Sequence, residues 1–351
     1  MKHQETSLDR YYRHGRAQRL GLFGVLTLLI ITILISLSIG SITITTKQIL
    51  TSLFTLNRSG EGRIVWDVRL VRVLAAVLVG GSLSLAGTMM QSVLRNPLAS
   101  PYTLGLSSAA AFGASVAIVF FGSGTSTTST IIVTNAFTTA SFAFLFSIIS
   151  TLAILGLTVT TTISAQSMVL AGIAISSIFS AGLTLMQYLA NSVQLAAIVS
   201  WTFGDLGRAT WKSVGSVAVT LLPTLFIALL LRWDFNAMES GEESAKGLGV
   251  RVGLVRIGGM IAASLLAAVV VSFFGTIAFI GLLGPHIAKR IFGGDHRHLL
   301  IASPLIGATV LLTADPLART ILLPMVLPVG TLTSLLGGPL FISLLLGGKK
   351  R

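Results

Sequence analysis

The chain contains no cysteine and only 11 acidic residues among its 351. Without Cys it has no disulfide, no thiolate metal site and no cysteine nucleophile. Charge of either sign is scarce, at 10% of residues, where a soluble domain carries roughly 25%. No G-x-x-x-x-G-K-[ST] loop occurs, so the chain has no cradle of that kind for ATP phosphates. H-E-x-x-H, paired aspartates and the G-x-S-x-G elbow are missing too, which argues against an intramembrane enzyme. The basic residues are not interleaved with stacking aromatics, so the formal charge of +13 does not describe a nucleic-acid groove.

What is present is apolar surface. Apolar residues make up 53% of the sequence, with a mean hydropathy of +0.90. A membrane-crossing helix needs about 20 apolar residues at roughly 1.5 Å each. Runs broken by Gly, Pro and charge predict helices near 20–40, 66–92, 100–121, 134–160, 166–190, 211–232, 254–272, 276–292, 300–322 and 327–348. The expected fold is an all-α polytopic membrane protein of about ten transmembrane helices. Residues 1–19 form a polar amino-terminal segment, 20–348 a single membrane domain and 349–351 a basic tail. The first apolar run is too long for a signal-peptide core and reads as a retained span.

Sixteen of the 24 Lys and Arg residues fall on the amino-terminal side of this topology. The bias predicts both termini in the cytoplasm of a multi-pass protein of the cytoplasmic membrane. Small residues recur through the spans, as in Gly80, Ser84 and Gly87, or Gly172, Ser176, Ser180 and Gly182. Such spacing lets helix backbones approach closely. The segment 234–250 is the one long internal stretch dense in both acid and base, so it belongs in water. Glu242, Glu243 and Lys246 sit there at helical spacing between Gly241 and Gly247.

Five stretches carry a family resemblance: RLVRVLAAVLVGGSLSLAGTMMQSVLRNPLASPYTLGLSSAAAFGA (69–114), SGEESAKGLGV (240–250), FIGLLGPHIAKRIFGGDHRHLL (279–300), ADPLAR (314–319) and LPVGTLTSLLGGPLF (327–341). In this order and spacing they resemble the permeases of iron-chelate and cobalamin-type ABC importers. The resemblance implies a type II importer bundle that pairs with a second, identical or different, permease subunit around a central pathway. It implies two cytoplasmic ATPases that bind the ATP and Mg, an external binding protein that delivers cargo, and no cofactor on this chain. Siderophore, haem or cobalamin is the implied cargo class, with an iron chelate favoured.

By the same resemblance, 236–250 looks like the coupling segment against the ATPase, with Asn236, Glu242, Glu243 and Lys246 in it and Gly241 and Gly249 shaping its turns. Arg69, Arg72 and Arg319 look like docking arginines for acidic side chains of the binding protein. Val71 replaces a common Pro of the family, and Leu327 its usual Glu. The fifth expected helix would line the pathway with the hydroxyls of Ser176, Ser177, Ser180 and Thr184, and the inner gate would lie at Ala165 and Gln166.

Other residues are read from physics alone. Asp315 lies in an apolar span, where a bare carboxylate costs at least about 2.5 kcal/mol, so it needs a partner. Arg319 stands one helical turn away and predicts an i,i+4 ion pair. His296 and His298 flank Arg297, but no set of three or four converging metal ligands accompanies them. Helix capping and headgroup contact are expected instead. The competing function is an ion-coupled secondary transporter of a small organic solute, for which Asp315 is the one candidate acid.

Overall fold

The computed structural model describes residues 7–40, 46–54, 60–122, 124–127, 130–133, 135–160, 165–322 and 325–347. Their chain order begins with the long helix α1 (Ser7–Ser38), followed by the short helices α2 (Thr46–Phe54) and α3 (Glu61–Ile64). A wide π-type turn over Val65–Leu70 leads into α4 (Val71–Leu94), and a break containing Pro101 and Gly105 precedes α5 (Leu106–Phe120). An antiparallel hairpin, β1 (Gly124–Thr127) with β2 (Thr130–Val133), joins α5 to α6 (Ala136–Thr160). Then come α7 (Ala165–Leu189), α8 (Ser192–Thr202), α9 (Trp211–Leu230), α10 (Arg232–Glu239) and α11 (Glu242–Gly247). The chain closes with α12 (Val252–Phe274), α13 (Ile280–Phe292), α14 (His296–Thr320) and α15 (Val329–Gly347).

Each of the ten expected spans coincides with a helix: α1, α4, α5, α6, α7, α9, α12, α13, α14 and α15. Among the described residues seven helices are long and apolar enough to cross a membrane, while α5 and the described part of α15 are shorter apolar helices. The helix of the first span, α1, begins at Ser7, within the polar amino-terminal segment. The small hairpin is the departure from an all-helical chain among the described residues.

Burial ranks the helices. The apolar windows of α4, α12 and α14 are 72%, 67% and 78% buried, against 17% for α1 and 11% for α7. The first three are therefore the core, and α1 and α7 lie outside it with many of their Leu and Ile side chains uncovered. Water would not tolerate such surface, but lipid or a neighbouring subunit would.

Small residues make the central seam. A methyl group added to Gly80 would run into the Gly307 carbonyl, and one on Gly87 into that of Gly281. Ser84 donates to the Ser303 carbonyl at 2.7 Å, and Thr88 donates to the Ser303 hydroxyl at 2.7 Å. The spacing read from the sequence thus produces backbone-to-backbone contact of α4 with α14 and with the start of α13. The break before α13 carries two positive φ angles, at Gly275 (+73°) and at Phe279 (+68°). The second is a conformation few non-glycine residues adopt. The Phe279 ring fills the space left by Gly337 and Gly338 of α15.

Candidate functional site

Two polar clusters stand at opposite ends of this apolar bundle. The first contains α10 and α11. Apolar Phe235, Ala237 and Met238 bury one side of α10, and Ala245 anchors α11. Gly241 (φ +120°) and Gly249 (φ +84°) sit at the turns before and after α11, where a side chain would strain the backbone. Glu242 bonds Arg256 of α12 at 2.9 Å and lies 3.2 Å from Lys246. The Arg256 hydrogen bond, then that of Lys246, lowers the Glu242 pKa. Glu243, Lys246 and Leu248 remain on the outside of this element.

Asn236 belongs to α10. It faces inward, donating from Nδ2 to Asp295 at 3.0 Å and accepting the His296 backbone N–H at 2.8 Å. His296, expected near headgroups, has no exposed surface. Its ring stacks on Phe235 with 5.7 Å between centroids and meets Ser92 of α4 through Nε2. Asp295 caps α14 by accepting the Arg297 N–H. Burial would raise the Asp295 pKa, but hydrogen bonds from Arg297 and Asn236 outweigh it and hold the carboxyl well below the usual carboxylate range. Arg297 also lies over the Trp233 ring, 5.1 Å from its centroid, and Glu239 pairs with Lys289 of α13 at 2.8 Å.

The opposite end is built on Asp315, which is fully buried. Arg319 Nη2 lies 3.1 Å from its Oδ2, so the i,i+4 pair is present. A second cation completes it: Arg72 of α4 donates from Nε to Oδ1 at 2.8 Å. Arg72 also stands 3.8 Å from Asp205, whose carboxylate accepts the Gly207 N–H at 2.7 Å. Arg69 is buried and donates to the Leu37 carbonyl at 2.8 Å, while Arg319 donates to the Ile39 carbonyl at 3.0 Å. The guanidiniums read as docking groups are therefore turned inward here. The buried acid demands neutralisation, and the end of α1 offers carbonyls that need donors.

The α7 hydroxyls stand on the open side of the bundle. Ser177, Ser180 and Thr184 are exposed and Ser176 half-buried. Ser177 bonds back to the Ile173 carbonyl and Thr184 to that of Ser180, whereas Ser180 reaches Ser108 of α5 at 3.3 Å. Edge-to-face and tilted contacts among Phe112, Phe146 and Phe179 hold α5, α6 and α7 together behind them. Ala165 and Gln166 open α7, and their side chains lie outside those described. A cavity of about 210 Å³ lies between the two helix breaks, lined by Tyr102, Thr103, Phe279 and Leu282 among others. Its lining comes from the breaks before α5 and α13, the start of α13 and Leu83 of α4, not from α7.

A buried three-helix core, two polar ends and an outward apolar helix are the architecture of a multi-pass membrane protein. The FecCD transport family profile matches residues 28–347, and the chain belongs to that family. An ABC transporter permease protein of Methanocaldococcus jannaschii is 46% identical over 94% of this chain and 95% of that protein. The hemin transport system permease protein of Yersinia pestis is 36% identical over 95% and 97%. Among solved structures, a metal-chelate type ABC transporter in an inward-facing conformation superposes with a TM-score of 0.79 at 31% identity, covering 95% of this chain and 99% of that one. The bundle is that of a type II ABC importer permease, and the ion-coupled carrier reading gives way to it.

Proposed function

We propose that this chain is the translocation subunit through which an iron chelate, a siderophore complex or haem, enters the cell across the cytoplasmic membrane, powered by a separate ATPase. The cargo reading rests on the hemin permease relative and the metal-chelate neighbour. The observation that carries the coupling assignment is the construction of α10 and α11: an apolar side locked to the bundle and an outer face of Glu243, Lys246 and Leu248 that is exposed among the described residues. This face takes one ATPase subunit, so that two permease copies engage two, and it lies in the cytoplasm with both chain termini. ATP and Mg belong to the ATPase.

The uncovered hydroxyl side of α7 supports a second permease subunit facing it, so that Ser177, Ser180 and Thr184 of both copies border the pathway, with Ala165 and Gln166 at its inner mouth. Docking of an external binding protein at the Asp315 end requires its acids to draw Arg72 or Arg319 away from Asp315. Charge reversal at Glu242 and Glu243 together tests the coupling role. It is expected to abolish ATP-driven uptake of a ferric chelate while the protein still inserts; uptake equal to the unaltered protein would reject the assignment.

A further inference from the structure

The contact between α4 and α14 holds more polar groups than close packing in lipid requires. A carboxylate only accepts hydrogen bonds, so the Asp295 contact fixes the Asn236 amide with Nδ2 toward it. Oδ1 then faces His296 and accepts both its backbone N–H and, at 2.9 Å, its ring Nδ1–H. The other ring nitrogen meets the Ser92 hydroxyl. Ser92 bonds the Thr88 carbonyl at 2.8 Å, Thr88 donates to Ser303, and Ser303 and Ser84 share a 2.7 Å bond. None of His296, Ser92, Thr88, Ser303 and Ser84 is more than 3% exposed.

Hydroxyls that bond back to their own helix explain the Ser92 to Thr88 step. They do not explain the three crossings between helices: His296 to Ser92, Thr88 to Ser303, and Ser84 to Ser303. Together with the Asn236 contact to His296, those crossings form one buried chain from the short helix α10 to the middle of the central seam. The Ser92 hydroxyl has a single proton and two acceptors in reach, the Thr88 carbonyl and, when it bears no proton, His296 Nε2. The Ser92 hydroxyl can therefore donate to one or to the other, and the His296 ring that offers the second acceptor is held by Asn236 of α10.

We propose that His296 is a positioning residue that passes movement of α10 into the α4 and α14 seam, so that α11 receives the ATPase and α10 carries its closure inward. The inference rests on the coupling role proposed above. By contrast, α11 is tied to the bundle by a half-exposed pair, Glu242 with Arg256, a kind of contact worth only about 0–1 kcal/mol.

The absence of native cysteine permits a direct test. A spin label at Ser177→Cys, in the complete transporter with its own ATPase, reports the distance between the two permease copies before and after addition of MgATP with vanadate. In that background the distance distribution should shift. His296→Ala and, separately, Ser92→Ala should reduce the shift several-fold while ATPase association and trapped nucleotide stay at the control level. The pair combined should do no more than His296→Ala alone, because both cut one chain. If the His296 variant does not assemble, Ser92→Ala carries the same test. A full shift in an assembled variant, or effects of the two that multiply, would overturn this inference and leave the coupling role standing. Failure of any ATPase to associate with the control, or no shift in it, would overturn both.

Discussion

Asp315 shows how far a single residue can be read without a structure. Its place in an apolar span and the four-residue step to Arg319 make the first partner legible. Arg72 is not, because 243 positions separate it from Asp315 and no local pattern marks a contact across two helices. Removing one member of a buried ion network costs about 3–5 kcal/mol. Asp315→Asn should therefore lower the thermal midpoint of the detergent-solubilised protein sharply, whereas Arg63→Ala, breaking the exposed pair with Asp67, should cost less than about 1 kcal/mol. Equal, small shifts would show that Asp315 is not a structural centre. His296 escaped local reasoning for the same cause: its partners come from α4 and α10, and the adjacent histidine and arginine resemble a headgroup-facing turn. Asp295 adds a pH dependence. Its folded pKa is depressed, so its stabilisation is complete above the ordinary Asp value of about 3.9 and is lost as pH falls through the lower folded value. The gap in midpoint between the native protein and Asp295→Asn should stay constant from pH 8 to pH 5; a gap that closes across that range would place the carboxyl elsewhere.

The helices themselves were the most legible features. Apolar runs of span length, ended by Gly, Pro and charge, locate all ten principal helices because lipid forces every backbone group to pair within its own segment. Shorter elements leave weaker traces. The hairpin at 124–133, the π-type turn at 65–70 and the division of 232–247 into α10 and α11 are fixed by tertiary contacts, not by periodicity. The small-residue spacing of α4 was readable, and the close approach to α13 and α14 supplies its reason. Overpacking a full core costs about 1–3 kcal/mol, and at Gly87 the obstacle is the Gly281 carbonyl, part of a rigid helix start. Gly87→Ala should then lower the midpoint or the folded yield. Gly215→Ala in α9, with open space around it, should be neutral or stabilising by up to about 1 kcal/mol. The reverse order would contradict the seam.

Across the whole molecule, the arrangement is that of a permease, and under the proposed function its energy comes from a separate ATPase. Its core is three buried helices with no nucleotide cradle in the sequence, one end is cross-linked by buried charge, and the other carries a moored pair of short helices with an uncovered face. Movement applied at that face has a rigid body to act on, and the apolar, hydroxyl-bearing flank of α7 offers a place where two such bodies could part around a solute. The most direct test is reconstitution of the purified chain in lipid vesicles, with and without its ATPase and binding protein, followed by uptake of a ferric chelate. Uptake that requires the ATPase and internal or external MgATP, on whichever side the ATPase faces, is the predicted result. Uptake by the chain alone, driven by a proton or sodium gradient, would contradict the account.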